Sequence, residues 1–522
     1  MANQNGSRDL KPAQPATTSV YAIYGVEPEV QAYAMAKYSR SALSMKESLR
    51  EISEQKAEKF LDTYYFQYGH RSIADLAHIA LAIERLSILA AIAVVDEQRW
   101  DGQERSTRYQ DFSHPDYYLP EFGASGPART LFSDTIDYLF CEYQTISARM
   151  FRHLAEHTPR PIDMKQEAYD RTLRARAFDI ARYLLPLATN TSLGEIVNAR
   201  TLESQISRLL SDRFTEVRAL GQSLKEAARN PAYNLNQSAF RKLWEEIHRR
   251  DEVWGDSVRE LLMKEVRPAP TLVKYAEASP YLMHSREELE AAAAELMAGG
   301  AIAPAPAVDL LEDEPLEIEI ATTLLYEHCA YPYRHIRERV AALSAAERRE
   351  IVDLGMKHRG PHDELLRAFN AGQTFRFDIL MDIGGFRDLH RHRRCVQIHQ
   401  AFADAHGYET PEDLAAAGLR QRYDDVMARV QGAVAELKRM AGDGARTDAV
   451  YLLPLAFRKR TLFKMDLAEA AYISELRTTA AGHFSYRRIA YLMYEAAAKR
   501  YPTLARHFRV TDVREPVDLL KR

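Results

Sequence analysis

Two short stretches gather groups able to bind and polarise an anionic ligand. Gln103-Glu104-Arg105-Ser106-Thr107-Arg108-Tyr109 sets a carboxylate, a hydroxyl and a guanidinium two residues apart, whereas Arg387-Asp388-Leu389-His390-Arg391-His392-Arg393 packs arginines and histidines together. Arginine's planar fork holds carboxylates and phosphates through paired, charge-assisted hydrogen bonds, and histidine changes protonation near neutrality. Tyr68-Gly69-His70-Arg71-Ser72 precedes the first stretch and Asn198-Ala199-Arg200 follows it. The chemistry implied is a phosphate anchor beside groups that orient an attached ring. A metal reading competes: His392, Cys395 and His399, at i, i+3 and i+7, would share one face of a helix. No fourth ligand stands nearby in sequence and two arginines flank the first histidine, so no metal residue is assigned.

These residues resemble the flavin-dependent thymidylate synthases, whose signature runs R-H-R-x-x-S-x-x-x-x-S-x-R-Y with an upstream G-H-x-S. Each half of the chain keeps what the other lacks. With Ser106, Arg108 and Tyr109 on the S-x-R-Y end, the R-H-R falls on Asp96-Glu97-Gln98. With Arg391-His392-Arg393 on the R-H-R, the Glu, Ser and Arg positions fall on His399, Ala401 and Ala403. Tyr183-Leu184-Leu185-Pro186-Leu187-Ala188 recurs as Tyr451-Leu452-Leu453-Pro454-Leu455-Ala456, in the order a tandem repeat requires. The resemblance implies an FAD held by His70, Ser72, Arg391, His392, Arg393, Asn198 and Arg200. It implies a pyrimidine nucleotide, dUMP, held by Glu104, Ser106, Arg108 and Arg182, with Arg477 or Arg208 near the base. Methylenetetrahydrofolate would give the carbon and NADPH the reducing equivalents. The second copy has Asp466 and Ala468 where the first has Asn198 and Arg200. Because sites in the family form between subunits, a tandem chain implies a homodimer acting as a pseudo-tetramer. A flavin- or nucleotide-binding protein of the same fold without turnover is the alternative.

Positioning these groups falls to a helix-rich scaffold. Apolar residues at three- and four-residue spacing predict helices over Lys56–Tyr68, Ile73–Val95 and Arg129–His157, and a second helical region from Tyr169 to Arg250. Phe375–Met381 alternates and reads as a strand. The fold class expected is α+β, two tandem thymidylate synthase-like domains with a small antiparallel sheet in each. Residues 1–18 read as a disordered tail, 19–282 as the first domain, 283–315 as an Ala-, Gly- and Pro-rich linker, and 316–522 as the second domain. A net charge of -4 over 522 residues gives no broad basic field for a nucleic acid polymer. No run of 18 apolar residues implies a membrane span, and three scattered cysteines fit a reducing cytoplasm.

Overall fold

The computed structural model describes residues 25–37, 45–51, 71–122, 126–360, 363, 365–440 and 443–520. The expected tail, the helix expected over Lys56–Tyr68 and His70 lie outside the described residues.

Two antiparallel sheets organise the chain. The first comprises β1 (His78–Ser87), β2 (Trp100–Glu104) and β3 (Asn190–Asn198), in the order β1-β3-β2. The second comprises β4 (Val308–Leu310), β5 (Phe375–Asp382), β6 (Val396–His399) and β7 (Arg458–Met465), in the order β4-β5-β7-β6. Removing edge strand β4 leaves the same topology twice. The equivalent helices recur in the same order: Ile88–Val95 and Ile383–Leu389, Gly126–His157 and Arg420–Met440, Ala199–Leu210 and Leu467–Thr478, Thr215–Arg229 and Phe484–Arg500. Strand pairing fixes the correspondence, since β2 sets Glu104 opposite Leu193 and β6 sets His399 opposite Thr461. The tandem α+β architecture read from the sequence is the one observed.

Two helical expectations need correction. His78–Ser87 is a strand, not the first half of a helix; only Ile88–Val95 is α-helical, with Ser87 Oγ accepting from the Ala90 backbone N–H at 2.9 Å. Buried Ile79, Ile83 and Leu86 are spaced four and three residues apart, which imitates a helix face. The spacing arises because the β1–β3 register slips between Glu84 and Leu86, with Arg85 at φ 59°. Likewise the region from Tyr169 to Arg250 is not continuously helical, because β3 interrupts it as the central strand of its sheet. The strand expected over Phe375–Met381 is present as β5. Between residues 283 and 315, Leu289, Ala293 and Met297 enter a core with Leu324 and Leu325, and β4 pairs with β5.

The repeated Tyr-Leu-Leu-Pro-Leu-Ala segments meet each other. Leu187 N–H donates to the Leu453 carbonyl and Leu455 N–H to the Leu185 carbonyl, both at 2.9 Å, with Pro186 opposite Pro454. These reciprocal bonds mark a pseudo-two-fold axis relating the copies. Tyr183, Leu184, Leu185, Leu187 and their counterparts are fully buried in one core shared by both halves. Each such leucine contributes about 1.5–3 kcal/mol, so the copies stabilise one body. Among the described residues no helix is long and apolar enough to cross a membrane.

Candidate active site between the two copies

The two half-signatures meet within one chain. Helix Ile383–Leu389 starts where Asp382 accepts the Gly385 N–H, and its last turn projects Arg387 toward the end of β2. The Arg387 guanidinium binds Glu104 Oε1, and Arg391 Nη2 lies 3.7 Å from Glu104 Oε2. Arg387, in the last turn of the helix, and Arg391, in the turn just past its end, thus converge on one carboxylate. Arg393 Nη2 reaches Asp101 Oδ1 at 3.0 Å, with its guanidinium 5.2 Å from the Trp100 ring centroid. Thus β2, from the first copy, is gripped by three arginines of the second.

His392 points away from β2. Its Nδ1 lies 3.2 Å from Glu469 Oε1, while Arg477 Nε donates to its Nε2 at 2.8 Å. Burial holds the imidazole below its ordinary range, against the raising influence of Glu469 and together with the lowering influence of Arg477. Arg208 is elsewhere: its Nε and Nη2 bind Glu97 Oε1 at 3.0 and 2.8 Å. Of the two arginines considered for the base, Arg477 therefore stands beside the Arg391-His392-Arg393 segment.

Asp388 is the electrostatic centre. Burial alone would raise its carboxyl, but Arg182, Arg391, Arg108 and Arg477 hold it below the usual carboxylate range. Arg182 Nη1 sits 3.5 Å from Asp388 Oδ2, yet Arg182 Nε and Nη2 are buried without a hydrogen-bond partner among the described residues. Arg387 Nε is in the same condition. Buried guanidinium donors without acceptors are costly, and they are the groups an incoming anion would satisfy.

Arg108 is deeply engaged. It grips Asp179 through Nε at 2.7 Å and Nη2 at 3.1 Å, and contacts the Tyr486 hydroxyl and the Ala481 carbonyl at 3.1 and 3.2 Å. Ser106 Oγ accepts the Arg108 backbone N–H at 3.2 Å. Asn198 Oδ1 caps helix Ala199–Leu210 by accepting the Thr201 N–H at 2.8 Å, and Arg200 pairs with Asp75 at 3.2 Å. This segment and exposed Ser72 lie toward the opposite end of β3 from Glu104, about 15 Å away at ~3.3 Å per strand residue.

Sequence reasoning gave no role to Arg387, Asp388, Asp179, Glu469 or Tyr486. The i, i+4 relation of Arg387 to Arg391 was a usable signal, as was Asp466-Leu467-Ala468-Glu469, a capping-type D-x-x-E. Asp466 does cap its helix, accepting the Glu469 N–H at 2.8 Å. Nothing local marks Asp179 as the partner of Arg108.

The pseudo-equivalent location places a carboxylate where the first has an arginine and an imidazole where the first has a carboxylate. Asp96, at the position of Arg391, meets His399, at the position of Glu104, with 3.3 Å between Asp96 Oδ1 and His399 Nε2. The Arg367 guanidinium binds the same Asp96 oxygen, and His390 Nε2 lies 3.7 Å from it. Burial pulls His399 down to about 3 and Lys459 beside it down to about 7, against the raising influence of Asp96 on both. The cleft lined there by Asp96, Glu97, Arg367 and Gln397 encloses only about 20 Å³, room for a water molecule rather than a ligand. The metal reading of His392, Cys395 and His399 fails on geometry. His392 faces Glu469, Cys395 donates to the His392 carbonyl at 2.9 Å, and His399 faces Asp96. The three share no helical face because His399 ends strand β6. Asp96, His390 and His399 do converge, but Arg367 already supplies the cation there.

The model of the thymidylate synthase complementing protein family matches residues 23–231 and again 311–503. A "UPF0159 protein" of Chlamydia pneumoniae is 26% identical across 95% of this chain and 92% of its own length, and one of Thermoplasma acidophilum is 25% identical across 92% and 94%. The flavin-dependent thymidylate synthase of Clostridium tetani is 25% identical over 41% of this chain and 82% of its own. Among solved structures, Helicobacter pylori ThyX complexed with FAD and dUMP aligns at a TM-score of 0.26 and 16% identity, covering 39% of this chain and 89% of that one. With both matches spanning most of its length, the chain belongs to the flavin-dependent thymidylate synthase (thymidylate synthase complementing protein) family, as a divergent tandem duplication.

Proposed function

We propose that this chain binds FAD and a pyrimidine nucleoside monophosphate, dUMP, where β2 meets the Arg387–Arg393 segment, and methylates C5 of the uracil ring. The observation that carries this reading is the convergence of Arg182, Arg391, Arg108 and Arg477 on Asp388, with buried Arg182 donors lacking acceptors. A monophosphate would take the place of those missing acceptors, since a guanidinium binds phosphate through paired, charge-assisted bonds. Arg391 and Arg393, partly exposed on either side of buried His392, form the donor set an FAD diphosphate would meet. When bound, FAD reduced by NADPH would supply the reducing equivalents for a carbon drawn from methylenetetrahydrofolate. In that arrangement Glu104 holds Arg387 and Arg391 in place, Arg477 stabilises charge developing on the ring carbonyls, and Arg108 braces Tyr486 against Asp179. The assembly proposed is a homodimer.

A reading without turnover has its own support. Arg108 is committed to Asp179, and Asn198 and Arg200 are engaged away from Glu104. Tritium release from the C5 position of labelled dUMP, in the presence of FAD, NADPH and methylenetetrahydrofolate, separates the two. Release above the rate of an Arg477→Ala variant supports methylation; tight dUMP binding with no release supports the non-catalytic reading.

A further inference from the structure

His392 makes hydrogen bonds at both ring nitrogens, and the identity of one partner dictates the other's role. A guanidinium has no acceptor, so the Arg477 Nε contact at 2.8 Å requires a bare lone pair on His392 Nε2. The neutral ring must then carry its proton on Nδ1, 3.2 Å from Glu469 Oε1. Both side chains are nearly sealed from water, at 4% and 6% exposure, so solvent offers no substitute acceptor. Glu469 is itself fixed, because its backbone N–H is held by Asp466 Oδ1 at 2.8 Å in the first turn of helix Leu467–Thr478. Arg477 lies two turns further along that helix, and Tyr472 between them meets the imidazole edge-on at 5.6 Å. One helix thus grips His392 at both ends.

The other copy supplies an internal comparison. At the position of His392 it has Glu97, and Arg208, one residue out of strict register with Arg477, binds that carboxylate directly. A carboxylate has no tautomer to choose. At the position of Glu469 that copy has Thr201, whose N–H is taken by the Asn198 cap. The second carboxylate occurs where an imidazole needs orienting and is replaced where it does not.

We propose that Glu469 is a positioning residue: it locks His392 in the Nδ1–H tautomer, and the bare Nε2 so presented holds Arg477 beside the nucleotide site. The role given to Arg477 rests on the function proposed above; the tautomer lock does not. Without Glu469, the Nε2–H form would set two donors against each other and release Arg477.

The test uses the full chain with ¹⁵N-labelled histidine, His392 being assigned from the signal lost in His392→Gln. At neutral pH the wild type should show a protonated Nδ1 and a bare Nε2. Glu469→Leu should populate the Nε2–H form and weaken dUMP binding about three- to tenfold, whereas Glu469→Gln, whose amide oxygen still accepts from Nδ1, should restore both. An Nε2–H tautomer in the wild type, or an unchanged tautomer in Glu469→Leu, overturns the proposal. Should Glu469→Leu fail to fold, Glu469→Gln decides: a bare Nε2 sustains the lock and a protonated one refutes it. If the wild type binds no dUMP while the tautomer is as described, the functional reading fails and the lock stands.

Discussion

The pseudo-two-fold axis relates two equivalent locations, and they fasten the two copies with different residues. At one, first-copy Glu104 faces second-copy Arg387 and Arg391; at the other, second-copy His399 faces first-copy Asp96, backed by Arg367. In each the acid comes from the first copy and the base from the second, so both fasten the copies together. They differ in what is left over. Among the described residues, Arg182 Nε and Nη2 and Arg387 Nε are buried without acceptors around Asp388; at the twin, Arg208 and Arg367 are matched by Glu97 and Asp96, and the atoms left over are imidazole nitrogens, His390 Nε2 and His399 Nδ1. A similar exchange occurs at two helix starts: Ser87 bonds Glu216 at 2.6 Å in one copy, and Ser485 bonds Asp382 in the other. On the function proposed above, duplication left one location to bind ligand and turned its twin into an internal clasp, and substitutions at the two locations separate those roles.

The largest effect is expected from Arg182, whose Nε and Nη2 have no acceptor among the described residues. Arg182→Ala should weaken dUMP binding by about 2–4 kcal/mol, tens- to several-hundred-fold, as expected for losing a buried charge-assisted contact. Arg208→Ala should change it by less than about threefold. Calorimetry with both variants measures the contrast, and equal losses would erase it.

That contrast was only half legible in the sequence. Complementary losses in the two signatures foretold that Glu104 would meet Arg391, because each copy lacks what the other supplies. The clasp was not legible: Asp96 and His399 look like mere decay until the fold shows one facing the other. The motif points Arg108 toward substrate and carries no sign of its pairing with Asp179, which spans 71 residues and depends on tertiary packing. Strand β1 was hidden by its bulge at Arg85, which rephased Ile79, Ile83 and Leu86 into helical spacing. By contrast, the duplicated Tyr-Leu-Leu-Pro-Leu-Ala segment announced the repeat, and its copies proved to lie against one another at the axis.

Next in size comes the clasp. Asp96→Ala removes the partner of Arg367, His390 and His399, and should cost roughly 2–3 kcal/mol of stability, less than for a fully buried pair because both ions are partly exposed. Nucleotide affinity should stay within about twofold. Denaturant unfolding alongside dUMP titration checks this, and a ligand-specific loss would mean both locations serve the ligand.

Acid should find the same clasp. His399, neutral in the fold with its pKa lowered to about 3, contributes stability that is complete above its unfolded value of ~6.5 and is lost as pH falls toward 3. His390, also lowered by burial, adds to that loss. Between pH 6.5 and 5, His399→Gln should therefore lose up to about 2 kcal/mol less stability than the wild type. Parallel pH profiles for the two proteins would count against a neutral buried His399.

The smallest effect distinguishes capping from ligand binding at Asn198. As a helix cap alone, Asn198→Ala should cost about 1 kcal/mol of stability and leave FAD retention unchanged. A marked loss of flavin would support the cofactor role that the resemblance gives Asn198 and Arg200.

On the proposed function, one ligand site is assembled per chain from parts of both copies. Titrating the purified full chain with FAD in the presence of dUMP, and following the visible flavin band, counts that site directly. Saturation should come at one flavin per chain, with binding lost in Arg391→Ala but not in Asp96→Ala. Two flavins per chain, or none at all, would contradict it.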